Sequence, residues 1–98
     1  MFVVSLNYIV SLDRIDAHLE EHVAFLDRHF RAGHFLMSGR KNPRTGGVII
    51  ATVGDRAVLD RILDEDPFRA LGLAEYVLEE FLPTRYQDGL DAWVGPGS

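Results

Sequence analysis

Cysteine is absent from the 98 residues. Disulfides, thiolate metal sites and a cysteine nucleophile are therefore excluded, and the absence accords with a reducing compartment. Excess positive charge is also lacking: 10 Lys and Arg stand against 15 Asp and Glu, for a formal net charge of -5. Broad binding to phosphate backbones needs the opposite balance, as does attraction to an anionic bilayer. Long apolar runs are missing as well. After Met1-Phe2-Val3-Val4-Ser5-Leu6 the polar residues Asn7, Asp13 and Arg14 arrive too soon for a secretory signal, and no later stretch is long enough to span a bilayer. These absences lead to the expectation of a cytoplasmic protein with neither a nucleic-acid nor a membrane partner.

What is present is enough apolar material for one packed domain, at 47% hydrophobic residues. Phe2 to Val10 is uncharged and rich in β-branched and aromatic residues, which predicts a strand. Leu12, Ile15, Leu19, Val23, Leu26 and Phe30 then recur at helical spacing. They predict one long amphipathic helix, with Ser11 or Asp13 as cap and Gly33 as terminator. His34 to Gly39 and Gly47 to Val53 read as strands, separated by the turn residues Lys41 to Gly46. Asp55 opens a second helix with Val58, Leu59, Ile62 and Leu63 on its apolar face. Asp66-Pro67 starts a short helical turn ending near Gly72, and Leu73 to Leu82 is the last strand, closed by Pro83. Residues 1–87 thus form the domain. Residues 88–98 are expected to be a weakly ordered tail, or one packed on a partner copy.

The order βαββαβ predicts an α+β, ferredoxin-like fold with an antiparallel sheet ordered 4-1-3-2. Charge supports it: the first and third strands, central in that order, carry none, whereas the fourth, at an edge, carries Glu75, Glu79 and Glu80. The central strands are apolar on both faces, as in Val48-Ile49-Ile50-Ala51 and in Phe2, Val4 and Leu6 opposed to Val3. Helices cover one face only, so the other calls for cover. A homodimer packed sheet to sheet supplies it; cover by helix ends and tail within one chain is the alternative.

Two polar residues stand out. His22 falls within or beside the apolar stripe of the long helix, where an imidazole must find a hydrogen-bond partner. A core histidine bonded to a carbonyl satisfies that need, and so does a functional pair. Asp66 precedes Pro67 and reads locally as a helix N-cap, which leaves further lone pairs for another role. Asp64 and Glu65 read as solvated acids on the helix surface.

The segments His22-Val23-Ala24-Phe25-Leu26, Ser38-Gly39, Gly46-Gly47, Asp64-Glu65-Asp66-Pro67-Phe68 and Gly72-Leu73-Ala74-Glu75-Tyr76 together resemble the YciI-like family, over nearly the whole chain to about Leu82. The resemblance implies a dimeric α/β barrel and a His–Asp pair in an active-site pocket, which here is His22 and Asp66. It also implies a pocket wall at Ser38 and Gly39. Arg40 departs from the family pattern, which often has proline there. Arg40, Lys41 and Arg44 form a small basic loop able to hold an anionic ligand; a solvated turn is the other reading.

No metal and no cofactor is expected. His18 and His22 lie four apart but lack an evident third ligand beyond Asp66, and His18-Leu19-Glu20-Glu21-His22 is not the zinc-protease pattern. Gly46-Gly47 opens a strand, not a helix that could cradle phosphate. His29 and His34 have no partner that the sequence identifies. Two functions remain. In the first, Asp66 orients His22 for general acid/base chemistry of the isomerase, lyase or hydrolase type on a small anionic or phenolic molecule. Ser38, Gly39 and Arg40, with Tyr8 as a weaker candidate, would bind it. In the second, the chain is a non-catalytic ligand-binding or accessory dimer whose His–Asp pair only locks the fold.

Overall fold

The computed structural model describes residues 1–94; the last four residues of the expected tail lie outside the described residues. The chain runs β1 (Phe2–Tyr8), α1 (Leu12–Asp16), α2 (Leu19–Arg31), β2 (Phe35–Arg40), β3 (Gly46–Ala51), α3 (Arg56–Leu63), α4 (Pro67–Ala70), β4 (Ala74–Glu80) and α5 (Asp91–Val94). The four strands form one antiparallel sheet in the order β2-β3-β1-β4. This is the ferredoxin-like order that the sequence predicts, with uncharged β1 and β3 at the centre and the glutamates of β4 at an edge.

Alternation in the strands sets the core. Phe2, Val4 and Leu6 of β1 are buried, as are Ile49 and Ala51 of β3, Phe35 of β2, and Ala74 and Leu78 of β4. They pack with Ile15, Phe25, Leu59, Ile62, Leu63 and Phe68 from the helices. Residues opposite one another in an antiparallel pair share a face. Val3, Ser5 and Asn7 therefore point away from the helices, together with Val48, Ile50, Met37 and Val77. Met37 and Val77 are both 56% exposed. On this second face Lys41 Nζ donates to Ser5 Oγ and Asn7 Oδ1, both at 2.8 Å.

The single long helix expected after β1 is two helices. Ala17 closes α1, and His18, at φ -117° and ψ 10°, leaves helical geometry before α2 begins. Ser11 stands at the cap position but makes no side-chain capping bond. The reason for the break lies in Ile15 and Phe25, both fully buried. Ten residues apart in a straight helix, they would sit about 80° apart around the axis; the break lets both face the sheet. Leu12, Leu19 and Val23 are consequently left exposed at 43%, 38% and 45%, and the buried line of α2 is Phe25 and His29. Gly33, at φ +79°, follows the C-cap Ala32 and turns the chain into β2.

Two local devices shape the sheet near its β2 edge. The β2–β3 register shifts between Phe35 and Met37, a bulge. Phe35 faces Ala51 and Ser38 faces Ile49, so both lie on the helix side although they are an odd three positions apart. Gly46 at the start of β3 lies hard against β1: a Cβ there would come within 1.8 Å of the Leu6 carbonyl oxygen. Only glycine permits that approach.

Candidate active site

Asp66 is the anchor. It caps α4, with Oδ1 accepting from Phe68 N–H at 3.1 Å and Pro67 following at the first helical position. Its side chain is fully buried. A carboxylate so placed needs several donors to offset its lost hydration, and it has them. His22 Nδ1 lies 2.9 Å from Oδ1, and the Tyr76 hydroxyl donates to Oδ2. Because the carboxylate accepts from Phe68 and Tyr76 on its two oxygens, the network assigns the His22 proton to Nδ1 and leaves Nε2 as the acceptor.

His22 projects from α2, one turn before Phe25, and its side chain is 13% exposed. Its ring stacks on Phe68, with centroids 4.1 Å apart and planes inclined by 9°. Tyr8 meets the Phe68 ring edge-on at 5.9 Å. Imidazole orientation is thus fixed by one hydrogen bond and one aromatic face. Tyr76 enters from β4, where alternation puts Ala74, Tyr76 and Leu78 on the helix side. Burial, and then the negative charge of Asp66, raise the Tyr76 hydroxyl above the usual tyrosine range, so it stays a donor.

In front of His22 opens a cavity of about 400 Å³. Leu6, Leu26 and Ile49 form its floor of apolar side chains, extended by the exposed Leu19 and Val23 of α2. Tyr8, Ser38, Gly39 and Arg40 complete the wall. The bulge in β2 aims Ser38 and Arg40 at this side of the sheet. Arg44 and Asp16 line the same cavity and pair at 2.5 Å, tying the β2–β3 loop to the end of α1. The hydrogen bond from Arg44 holds the Asp16 carboxyl below its ordinary value. Among the described residues Arg40 has no ion-pair partner.

Five of the six residues singled out from the sequence therefore line one cavity: Tyr8, His22, Ser38, Gly39 and Arg40. Asp66 does not; it lies behind the imidazole. Sequence reasoning missed Tyr76, whose signal was an aromatic hydroxyl on the inward side of a strand, a group that when buried requires a partner. It also missed the ion pair of Asp16 with Arg44.

A second polar cluster lies at the far end of α2. His29 Nε2 lies 3.0 Å from Glu65 Oε1, and His29 Nδ1 lies 3.0 Å from His34 Nδ1. Arg28 also reaches Glu65, at 3.2 Å. Glu65, expected to be simply solvated, is instead bonded to both, and the hydrogen bond from His29 lowers its pKa. Burial of His29 beside Phe25 and Phe35 is what demands these partners. Among the described residues no group of three His, Asp or Glu side chains is placed to hold a metal ion, and no helix is long and apolar enough to cross a membrane.

A family model described as YCII-related domain matches residues 1–82. No curated protein matches the chain. Among solved structures, the fold is similar to 5-chloro-2-hydroxyhydroquinone dehydrochlorinase from Burkholderia phenoliruptrix AC1100, in complex with 2,5-dihydroxybenzoquinone. The TM-score is 0.68 at 17% identity, covering 83% of this chain and 93% of the other.

Proposed function

The chain belongs to the YCII-related domain family, and from that premise we propose that it is a small-molecule enzyme in which His22 performs general acid/base chemistry. The observation that carries the proposal is the division of labour on one ring: Nδ1 is bound to a fully buried carboxylate, while the side chain lines the cavity. Hydrogen bonding at one nitrogen of an imidazole fixes the tautomer and raises the basicity of the other. Nε2 would take a proton from a substrate C–H or O–H and return it to the leaving group or product, with Asp66 orienting the ring and facing the imidazolium formed midway. That sequence suits elimination, isomerisation or hydrolysis.

The cavity's apolar floor favours a small ring or short chain, and Arg40 favours an anionic or phenolic oxygen near Ser38. The neighbour of similar fold is named a dehydrochlorinase and is in complex with 2,5-dihydroxybenzoquinone. Its likeness supports the fold, and its chemistry serves as a guide to which substrates to screen: chlorinated and hydroxylated rings first.

The second face of the sheet leads to the second part of the proposal. Val3, Val48, Ile50, Met37 and Val77 share the face of the sheet opposite the buried core residues, with Met37 and Val77 both well exposed among the described residues, and a second copy packed sheet to sheet buries that apolar surface.

The test is His22→Asn, which keeps approximate size and polarity but cannot shuttle a proton at neutral pH. Once a substrate is found by screening small acids and phenols, the variant should bind it and lose turnover about 100-fold or more. Full turnover in the variant sinks the acid/base role. A chain that binds such ligands and turns none over is the non-catalytic binder, favoured by the fact that Asp66 already has structural employment as the cap of α4.

A further inference from the structure

We infer that Tyr76 is a positioning residue for His22, acting through Asp66: its hydroxyl fixes the plane of the buried carboxylate so that Oδ1 meets Nδ1 and Nε2 is left bare. The role rests on the proposed acid/base function of His22. It belongs to a residue that touches neither the cavity nor the imidazole.

The geometry is one of anchors. A carboxyl group can still rotate about its last bond after its helix is capped. Phe68 N–H pins Oδ1, and a second anchor on Oδ2 is needed to stop that rotation; the Tyr76 hydroxyl is that anchor. Tyr76 is itself held. Its backbone pairs with Leu6 in the middle of the β1–β4 ladder, and the Arg69 guanidinium lies 5.6 Å from its ring centroid. Arg69 is fixed in turn by the Asp60 carboxylate at 3.1 Å and the Asp60 carbonyl at 3.3 Å. Strand β4 thus sets the angle at which α4 presents its cap to α2.

Removing the hydroxyl leaves Oδ2 buried without a donor, a costly state. The carboxyl relieves it by taking a proton. The proton on Nδ1 passes to Asp66, Nδ1 becomes the acceptor of the new O–H, and Nε2 takes one proton from solvent. The pair gains one proton in all, and the nitrogen that should act as base is occupied.

The test reads ring nitrogens, not activity. In the wild-type chain at about pH 8, above the ordinary histidine range, the ¹⁵N shifts of His22 should show a protonated Nδ1 and a bare Nε2. In Tyr76→Phe, which keeps the ring and its packing, a population with protonated Nε2 should appear while the circular dichroism is unchanged. A variant with the wild-type tautomer overturns the inference and leaves the acid/base reading standing. A wild-type ring protonated at Nε2 overturns both. If Tyr76→Phe fails to fold, the wild-type hydroxyl decides: a slowly exchanging, downfield proton from Tyr76 supports its bond to Asp66, and fast exchange with water overturns it. Unimpaired turnover in His22→Asn sinks the acid/base reading without altering any of these signals.

Discussion

Replacing Asp66 by asparagine exchanges a single oxygen for an amino group, yet the site around it is built to detect that exchange. Three groups address the carboxylate: Phe68 N–H, the Tyr76 hydroxyl and His22 Nδ1. The amide oxygen can keep the cap on Phe68 and the bond to His22 on the Oδ1 side. The amide nitrogen then faces the Tyr76 hydroxyl, which must turn and accept, giving up its own donation. What is lost is the charge on two or three hydrogen bonds, each worth about 1.5–3 kcal/mol when one partner is ionised. Partial repair by Tyr76 brings the expected net loss for Asp66→Asn to about 2–3 kcal/mol. Asp66→Ala repairs nothing and should lose about 3–5 kcal/mol, a large part of the ~5–15 kcal/mol that holds a typical domain together. Urea unfolding followed by tryptophan fluorescence and circular dichroism reads both values, and thermal midpoints should fall by about 4–8 °C for each kcal/mol. Adding Tyr76→Phe to Asp66→Asn should cost less than the sum of the single changes, because both touch the same bond. An Asp66→Asn protein within about 0.5 kcal/mol of wild type, the range of ordinary surface changes, would refute the picture of a carboxylate satisfied by these three donors.

Gly46→Ala should cost about 1–3 kcal/mol through forced displacement of β1 from β3, since the new Cβ would meet the Leu6 carbonyl oxygen at 1.8 Å; an unchanged unfolding midpoint argues against it. Ile50→Glu, on the second face, should convert a dimer into a monomer in light scattering at micromolar concentration while the fold persists, and a wild-type chain that is already monomeric would remove the case for the dimer. Glu65 has its pKa lowered in the folded state from 4.5, so its contribution is complete above that value and is lost as pH falls through the lower folded value. Glu65→Gln should therefore narrow the stability difference between neutral and acid solution; an unaltered difference counts against the pair with His29.

Much of the fold was open to reading because it rests on period and charge. The alternation of Phe2, Val4 and Leu6, the caps at Asp55 and Asp66, and uncharged central strands between charged edges each follow from local chemistry. The break between α1 and α2 was not open in the same way. Leu12, Leu19 and Val23 keep a helical period with Ile15, and only the demand that Ile15 and Phe25 both reach the sheet interrupts it. His29 went unread for a related reason: a histidine becomes a core residue only when a distant strand and helix end bring His34 and Glu65 to it. In the site, a resemblance in sequence joined His22 to Asp66, residues that no local rule connects. Tyr76 completes the carboxylate's partners from the other end of the fold, and its inward side was legible from strand alternation; its partner was not.

The bulge in β2 has a consequence for comparing this chain with its relatives. From Phe35 a regular strand would send Met37 and Gly39 to the cavity and Ser38 and Arg40 to the opposite side. The extra residue reverses that assignment for everything after it. A relative one residue shorter between the positions of Phe35 and Ser38 could carry the same Ser-Gly pair and place it on the other surface of the sheet. Matching letters in an alignment would then hide a wall turned inside out, so relatives should be grouped by the residue count of this segment before their ligands are compared.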